Sequence, residues 1–353
     1  MKKFPGGFPI MKFGLKTVLG AGLLVSGMAL SSMSAFAQEV TLKVHHFLPP
    51  KATTHAKVLV PWKEAVESQS GGRIKVEIYP AMQLGGKPPQ LMDQVRDGVA
   101  DIVWALPGYS PGRFPKIAVF ELPFMVSDAT ATSQAVHEYY ETHAREEFSD
   151  VHVLQFHTHA RGLFHTVDKP IKSVDDFKGL KMRAPNRGIG EALGALGASA
   201  VFMPVPALPE ALSKKVVDGA VIPWEIVPAL KIHELAPNHT RTPGARGLYT
   251  AVFVYAMNKA KYEGLPDDLK KVIDDNSGMA MAKKIGEAWD VAEKPGEGLA
   301  TAKGNPIIDL SEDDIAKMRE ITKPVTEKWI ADMGADGQKL YDAANALLDK
   351  YSK

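Results

Sequence analysis

Arg183 is the residue of this chain whose surroundings most clearly suggest chemistry. It follows a short apolar segment, 180–182, and Pro185 stops the chain from continuing as a helix. We therefore expect its guanidinium at a strand end, on the edge of a sheet where open α/β proteins bind ligands. A guanidinium there can hold a carboxylate through two parallel hydrogen bonds. From spacing alone, a structural ion pair is the alternative interpretation.

A second arginine, Arg161, repeats this arrangement. It follows the predicted strand 151–157 as Arg183 follows the segment 180–182. We therefore predict that two cations emerge from neighbouring strand ends, and this repetition is more specific than either arginine alone.

Three histidines near these strands raise the question of a metal site. His157 and His159 alternate onto one strand face, and His165 is close by in sequence. Imidazoles bind zinc, but no acidic residue or histidine at helical spacing completes a ligand set. Polar or structural histidines are the preferred interpretation, and we predict no metal and no other cofactor.

Glycines at the start of a predicted helix suggest a nucleotide loop. Gly188, Gly190 and Gly194 follow a strand, but the third glycine is one position late for the dinucleotide motif. No strand-terminal acid follows about 20 residues on. We interpret these glycines as allowing close packing of the helix on the sheet.

Two aromatic residues lie at the end of another predicted strand, 101–104. Trp104 and Tyr109 are placed where an aromatic ring could stack on a ligand. Packing in the core is the more frequent role of a tryptophan, and both interpretations stay open here.

The elements that position these residues alternate between strand and helix. A strand at 39–46, a helix at 53–68 and a strand at 73–79 form a βαβ unit, which predicts a parallel sheet. Further helices are predicted at 90–96, 128–148, 208–215, 265–291 and 311–348, and further strands at 201–204, 221–222, 248–257 and 304–309. Two α/β halves joined by several crossings, without a flexible linker, indicate a hinged clamshell.

The first 37 residues predict an export signal. Lysines precede an apolar run at 18–30, and Ala35-Phe36-Ala37 matches the cleavage pattern before Gln38. Met11 is an alternative start to Met1. The segment carries four lysines and no acid, so its removal changes the formal net charge from +1 to −3 and argues against nucleic acid as a partner. The absence of cysteine excludes disulfides and thiol catalysis. We expect a protein free in an extracytoplasmic compartment, which the family resemblance described below implies is the periplasm.

A series of short motifs continues along the chain: Gln83-Leu84-Gly85, the segments 93–101 and 179–185, Gly197-Ala198, Met203-Pro204, Ala211-Leu212, Val217-Asp218-Gly219, Asn258-Lys259 and Leu265-Pro266. Their order resembles the substrate-binding proteins of tripartite ATP-independent periplasmic (TRAP) transporters, of the DctP type. The similarity covers nearly the whole chain after the signal.

The resemblance implies an α/β clamshell of the periplasmic-binding-protein type, with hinge strands and a long helix spanning both lobes. We place lobe I at 38–159, with 249–288 returning to it, and lobe II at 160–248, with about 289–330 contributing. Residues 331–353 are the expected C-terminal helix. The resemblance also implies capture of an organic acid and its delivery to a membrane permease of two subunits, small and large. Arg183 takes the place of the carboxylate clamp, and Arg161 that of an arginine that assists it.

The positions at which this chain departs from the family pattern indicate which kind of ligand it binds. Where sialic-acid-binding members have polar or aromatic-serine residues, this chain has Phe47, Leu106, Ile222 and Val205-Pro206. An apolar site rejects polyols because their buried hydroxyls would lack partners. The residues expected to complete the pocket are aromatic: Trp104, Tyr109, Trp224 and Tyr249. The predicted ligand is a small, largely apolar monocarboxylate, either an aromatic acid or a short branched 2-oxo or 2-hydroxy acid.

The alternatives are a uronate-type sugar acid as ligand, or a ligand sensor built on the same fold. An exported enzyme is disfavoured, because the sequence has no nucleophile elbow, no paired-carboxylate motif and no zinc helix motif. We expect a monomer that binds a small carboxylate and no nucleic acid.

Overall fold

The computed structural model of the chain describes residues 39–352. The predicted export signal, its cleavage after Ala37 and the choice between Met1 and Met11 lie outside the described residues. Within 39–352, none of the helices has the length and apolar character needed to cross a membrane.

The described residues form strands and helices in alternation. The strands are β1 Val40–His46, β2 Ile74–Tyr79, β3 Ile102–Ala105, β4 Val151–Thr158, β5 Leu163–Thr166, β6 Lys181–Ala184, β7 Ser199–Phe202, β8 Gly219–Ile222, β9 Asn238–Arg241, β10 Val252–Asn258 and β11 Ile307–Asp309. The α-helices are α1 Val60–Gln69, α2 Leu91–Arg96, α3 Ala129–Tyr139, α4 Arg187–Ala195, α5 Leu208–Ser213, α6 Val227–Leu230, α7 Ile232–Leu235, α8 Lys259–Glu263, α9 Asp267–Asp275, α10 Gly278–Ala302, α11 Glu312–Asp332 and α12 Gly337–Tyr351.

Shorter helical turns connect these elements. The π-helical turns are Thr54–Leu59 and Tyr140–Ala144. The 3-10 turns are Pro88–Gln90, Pro107–Tyr109, Ile117–Glu121, Arg145–Phe148, Val174–Phe177, Val205–Ala207, Trp224–Ile226 and Gly334–Asp336. The helix predicted at 53–68 therefore begins as a π-helix, and Pro61 lies in the first turn of α1, a position that suits proline.

Five strands form one sheet, in the order β2-β1-β3-β10-β4. β1 pairs in parallel with β2 and β3, as the βαβ pattern predicts. β10 runs antiparallel to β3 and β4, so the chain returns to this sheet late in the sequence. Every residue of β3 is buried.

Six strands form the other sheet, in the order β11-β9-β5-β8-β6-β7. β6 lies between β7 and β8 and is parallel to both, whereas β5 is antiparallel to β8 and β9. Neither β5 nor β9 is predicted from the sequence. Each has only four residues, and β9 consists of polar residues without hydrophobic alternation.

The strand order corrects one expectation about the arginines. Arg161 follows β4, a strand of the first sheet, whereas Arg183 belongs to β6 in the second sheet. The prediction that they emerge from neighbouring strand ends is therefore wrong. Strands that follow one another in sequence need not pair, and the neighbours of β6 come from later segments of the chain.

Two connections between the sheets run side by side. The segments β4–β5 and β9–β10 meet where the Gly162 N–H donates to the Tyr249 carbonyl at 2.8 Å. A side chain at position 162 would clash, because a Cβ there would lie 2.2 Å from the Tyr249 ring. These paired crossings fit the predicted two-lobed α/β clamshell with hinge strands. The residue boundaries given for the lobes stay a prediction.

The long helix α10 packs against elements of both sheets, as the fold class predicts. It contacts α3 and β4 on the side of the first sheet and the turn Trp224–Ile226, which follows β8 of the second. Two glycines allow this approach: a Cβ on Gly286 would lie 2.5 Å from the Thr130 Cα, and one on Gly296 would lie 2.0 Å from the Trp224 carbonyl oxygen. The sequence predicts helix here only to about 291, but α10 continues through Pro295 to Ala302.

Candidate functional site

A cavity lies where residues of the two sheets meet. Its volume is about 40 Å³, so its walls lie close together. Most of the predicted ligand-binding residues line it, namely Phe47, Trp104, Leu106, Tyr109, Arg183, Ile222 and Tyr249. Five further wall residues matter for the chemistry: His159, Val205, Glu225, Phe253 and Trp289.

Arg183 is the buried charge of this cavity, with only 1% of its surface exposed. Its Nε donates to the Met203 carbonyl at 3.0 Å and its Nη2 to the Tyr109 hydroxyl at 3.4 Å. The Tyr249 hydroxyl is also within its hydrogen-bonding reach. Within residues 39–352, Arg183 forms no ion pair with an acidic side chain. A guanidinium has more N–H donors than these partners take, so it can bind an external anion.

Local sequence explains how Arg183 reaches this position. In β6, Arg183 pairs with Val201 of β7 and Ala220 of β8, which centres it among three parallel strands. The strand ends before Pro185. Asn186 then caps α4, because its side-chain oxygen accepts the Ile189 N–H at 3.0 Å. The prediction of an arginine at the carboxyl edge of a parallel sheet is consistent with this geometry.

An aromatic stack forms one wall of the cavity. Trp104 lies between Phe47 and Phe253, with ring centroids 4.8 Å and 4.7 Å away and nearly parallel planes. Its Nε1 donates to His157 Nε2 at 2.8 Å, which leaves no polar atom of the indole unpaired. Trp104 is buried in the core and also lines the cavity. Both roles that the sequence left open, core packing and contact with a ligand, are therefore compatible with its position.

Three polar groups near Arg183 are electrically neutral, namely the hydroxyls of Tyr109 and Tyr249 and the imidazole of His159. Burial raises the pKa of Tyr109 and of Tyr249, so both hydroxyls keep their protons. Burial lowers the pKa of His159 to about 3, and the nearby guanidinium of Arg183 acts in the same direction. None of these three groups neutralises the positive charge of Arg183, so a carboxylate would gain strongly from pairing with it.

The three histidines have partners within the protein. The nitrogens of His159 bond to the Ala160 carbonyl and accept the Ala251 N–H, while those of His165 bond to His239 and the Ile222 carbonyl. His157 accepts the indole N–H of Trp104. Among the described residues, no group of three or more histidine, aspartate or glutamate side chains is arranged to hold a metal ion.

Two predicted residues, Arg161 and Trp224, lie outside this cavity. Arg161 donates to the carbonyls of Ser127, Gly244 and Ala245, and both residues line a separate hollow. The Trp224 ring packs edge-on to His165. The structure does not bring either side chain next to Arg183, and a direct role for them in ligand binding stays a prediction.

Two of the three glycines of α4, Gly188 and Gly190, have packing roles, whereas a Cβ on Gly194 would meet no atom within 4 Å. A Cβ on Gly190 would lie 2.3 Å from the Phe202 ring, and one on Gly188 would lie 3.0 Å from the Glu121 carbonyl oxygen. This agrees with the interpretation of close helix packing in place of a nucleotide loop.

Sequence reasoning missed three important wall residues: Phe253, Trp289 and Glu225. Phe253 is one of the buried residues of β10. Only the pairing of β10 with β3 brings its ring to Trp104. Trp289 lies on α10, far along the chain from the strand ends. Glu225 follows Trp224 directly, and an acid so close to a predicted pocket residue was a signal that could have been used.

Comparison with known proteins identifies the family. The model of the bacterial extracellular solute-binding proteins, family 7 (DctP), matches residues 44–332. The chain belongs to this family. The resemblance to substrate-binding proteins of TRAP transporters is thereby confirmed, and so is the two-lobed α/β fold.

Solved structures of family members are similar over nearly their whole length. A TRAP solute-binding protein from a marine metagenome, specific for aromatic acid ligands and crystallised with 3-hydroxybenzoate, is 52% identical. The match covers 90% of this chain and 100% of that one, with a TM-score of 0.88. A TRAP solute-binding protein from Rhodoferax ferrireducens with copurified benzoate is 47% identical, over 88% and 98% of the two chains, with a TM-score of 0.87.

A sequence relative extends the comparison. The C4-dicarboxylate-binding periplasmic protein DctP of Rhodobacter capsulatus is 27% identical over 94% of this chain and 99% of its own length. This DctP-family chain therefore shares its length and its fold with proteins that carry small carboxylates.

Proposed function

We propose that this protein captures a small aromatic monocarboxylate in the periplasm and delivers it to the small and large permease subunits of a TRAP transporter. The observation that carries the proposal is Arg183, a buried guanidinium with no acidic partner among the described residues, which faces an apolar and aromatic cavity. The carboxylate pairs with Arg183, and the ring of the ligand lies among Phe47, Trp104 and Phe253.

The similar proteins support the same ligand class. The two solved structures that are about half identical in sequence hold 3-hydroxybenzoate and benzoate. An aromatic acid suits a wall in which Leu106, Val205 and Ile222 offer no side-chain hydrogen-bonding group. A uronate-type sugar acid is less well matched, because several of its hydroxyls would be buried without partners.

Binding is proposed to close the two lobes around the ligand. Arg183 and Val205 belong to the part of the chain that forms the second sheet, whereas Trp104 lies in β3 of the first sheet and Tyr109 follows that strand. A ligand that touches both groups stabilises the closed arrangement over the open one, since only the closed form offers all contacts. The closed monomer is then the form that the permease recognises.

Arg161 has a supporting role in this proposal. Its guanidinium ties the carbonyls of Gly244 and Ala245 to that of Ser127. These bonds fix the segment that leads from β9 to β10, beside the crossing at Gly162 and Tyr249. Arg161 thus assists binding by holding the hinge connections, without touching the ligand.

Titration calorimetry of the mature protein with benzoate tests the proposal. We expect Arg183→Ala to weaken benzoate binding by at least about 30-fold, because a buried charge pair that loses one partner costs roughly 2–5 kcal/mol. Lys181→Ala is the matched control, since Lys181 is an exposed cation on the same strand. Its affinity should match that of the unchanged protein.

Two results would contradict the proposal in different ways. Retention of benzoate affinity in Arg183→Ala would refute the clamp. Absence of binding by the unchanged protein to a panel of aromatic acids, combined with binding of glucuronate, would refute the ligand class.

A further inference from the structure

Glu225 is an acidic side chain in the wall of a cavity that we propose to bind an acid. It lies in the turn Trp224–Ile226, which follows β8, and is 7% exposed. Its Oε1 has no hydrogen-bond partner in the described part of the chain. The donors near its carboxyl group are the hydroxyl and backbone N–H of Thr53.

The carboxyl group of Glu225 does not cap its own turn. The N-terminus of the turn is already capped by Glu293 of α10, whose oxygens accept the Glu225 N–H at 2.9 Å and the Trp224 N–H at 3.3 Å. Burial raises the pKa of Glu225 to about 7. Among the described residues Glu225 has no ion pair and one unpaired oxygen, and such burial is costly, so a hydrogen-bond donor on a ligand in the cavity would offset part of this cost.

Glu225 and Arg183 occupy different parts of the cavity wall. The register places Arg183 beside Ala220, and β8 continues from there to Ile222, about 7 Å further along the strand. Glu225 follows three residues later. The charge of Arg183 acts on the pKa values of Tyr109, Tyr249 and His159. The pKa of Glu225 is instead set by burial and by its hydrogen bonds with Thr53, which agrees with its place in another part of the wall.

We propose that Glu225 recognises a hydroxyl group on the ring of the bound acid, remote from the carboxylate that Arg183 holds. This inference rests on the proposed function. A hydroxyl group both donates and accepts hydrogen bonds, so it pairs with Glu225 whether that carboxyl group is ionised or protonated. A second carboxylate on the ligand is disfavoured at the same place, because the wall there supplies a like charge and no cation.

Calorimetry with matched ligands on the mature protein tests this role. The probes are benzoate, 3-hydroxybenzoate and 4-hydroxybenzoate, and the variants are Glu225→Leu and Glu225→Gln. We expect the unchanged protein to bind one hydroxybenzoate at least about tenfold more tightly than benzoate, the size of one hydrogen bond to a carboxyl group. Glu225→Leu should reduce that ratio to within about twofold, because only the hydroxybenzoate loses a hydrogen bond to the ligand ring. Glu225→Gln should keep most of the preference.

The control variant is Glu234→Gln, an exposed acid nearby in sequence whose replacement should leave the ratio unchanged. An unaltered hydroxybenzoate preference in Glu225→Leu, with benzoate binding still dependent on Arg183, would overturn this inference and leave the proposed function standing. Equal affinity of the unchanged protein for the three probes would likewise overturn this inference and leave the proposed function standing. Failure of all three probes to bind would overturn both.

Discussion

Tyr109 forms hydrogen bonds between the two lobes, and removing its hydroxyl group tests whether those bonds contribute to ligand binding. It follows β3 of the first sheet, yet its hydroxyl accepts the Val205 N–H at 2.9 Å and the Nη2 donor of Arg183 at 3.4 Å. Both donors belong to the part of the chain that forms the second sheet. We expect Tyr109→Phe to weaken ligand binding more than it lowers the free energy of unfolding of the ligand-free protein.

The magnitude follows from the buried donor that the variant leaves behind. Without the hydroxyl, the Val205 N–H has no acceptor when the lobes close, which costs about 1–3 kcal/mol. Because about 1.4 kcal/mol corresponds to a factor of ten, the dissociation constant for benzoate should rise by about fivefold to 150-fold. The phenylalanine ring keeps the contact with Phe47, now 5.7 Å between ring centroids, so little packing is lost.

The assay pairs calorimetric titration of benzoate with urea unfolding of the ligand-free protein. Tyr79→Phe is the control, because the Tyr79 hydroxyl bonds to Glu77 at 2.7 Å on the surface. A dissociation constant for Tyr109→Phe within twofold of the unchanged protein would refute the reasoning. An equal loss in unfolding free energy would show that these bonds persist without ligand.

Two further predictions concern stability. Asp290→Ala should lower the unfolding free energy by about 2–4 kcal/mol in urea titrations, because Asp290 accepts three bonds from Ala129 and Thr130 at the start of α3; a value equal to that of the exposed control Glu287→Ala would refute this. Burial lowers the pKa of His137 to about 4, so its contribution to stability is lost as pH falls from 6.5 towards 4. Replacing His137 by Gln should shrink the stability difference between pH 7 and pH 5 by about 2 kcal/mol, and an unchanged difference would contradict the assignment.

Local features made much of the fold predictable. The βαβ alternation at 39–79 predicts the parallel pairing of β1 and β2 because hydrophobic period and turn residues act over a few positions. Pro185 and the short β6 similarly predict that Arg183 stands at a strand end. Ser311, at the start of the helix predicted at 311–348, is recognised as a helix cap for the same reason, and its side chain accepts the Asp314 N–H.

Features that depend on contacts between distant segments could not be predicted from local sequence patterns. β9 carries no hydrophobic pattern and exists because it pairs with β5 and β11. The prediction of neighbouring strand ends for the arginines is wrong because strand order depends on long-range pairing, which no local spacing encodes.

The sequence by itself determined that this DctP-family chain has an α/β fold and an arginine at a strand end, with apolar residues at 47, 106 and 222. Only the tertiary structure decided that Phe253 and Glu225 share the cavity of Arg183, and that Arg161 does not reach it. The physical reason is that local spacing sets the conformation of each segment, whereas the contents of a cavity between two lobes depend on how distant segments pack.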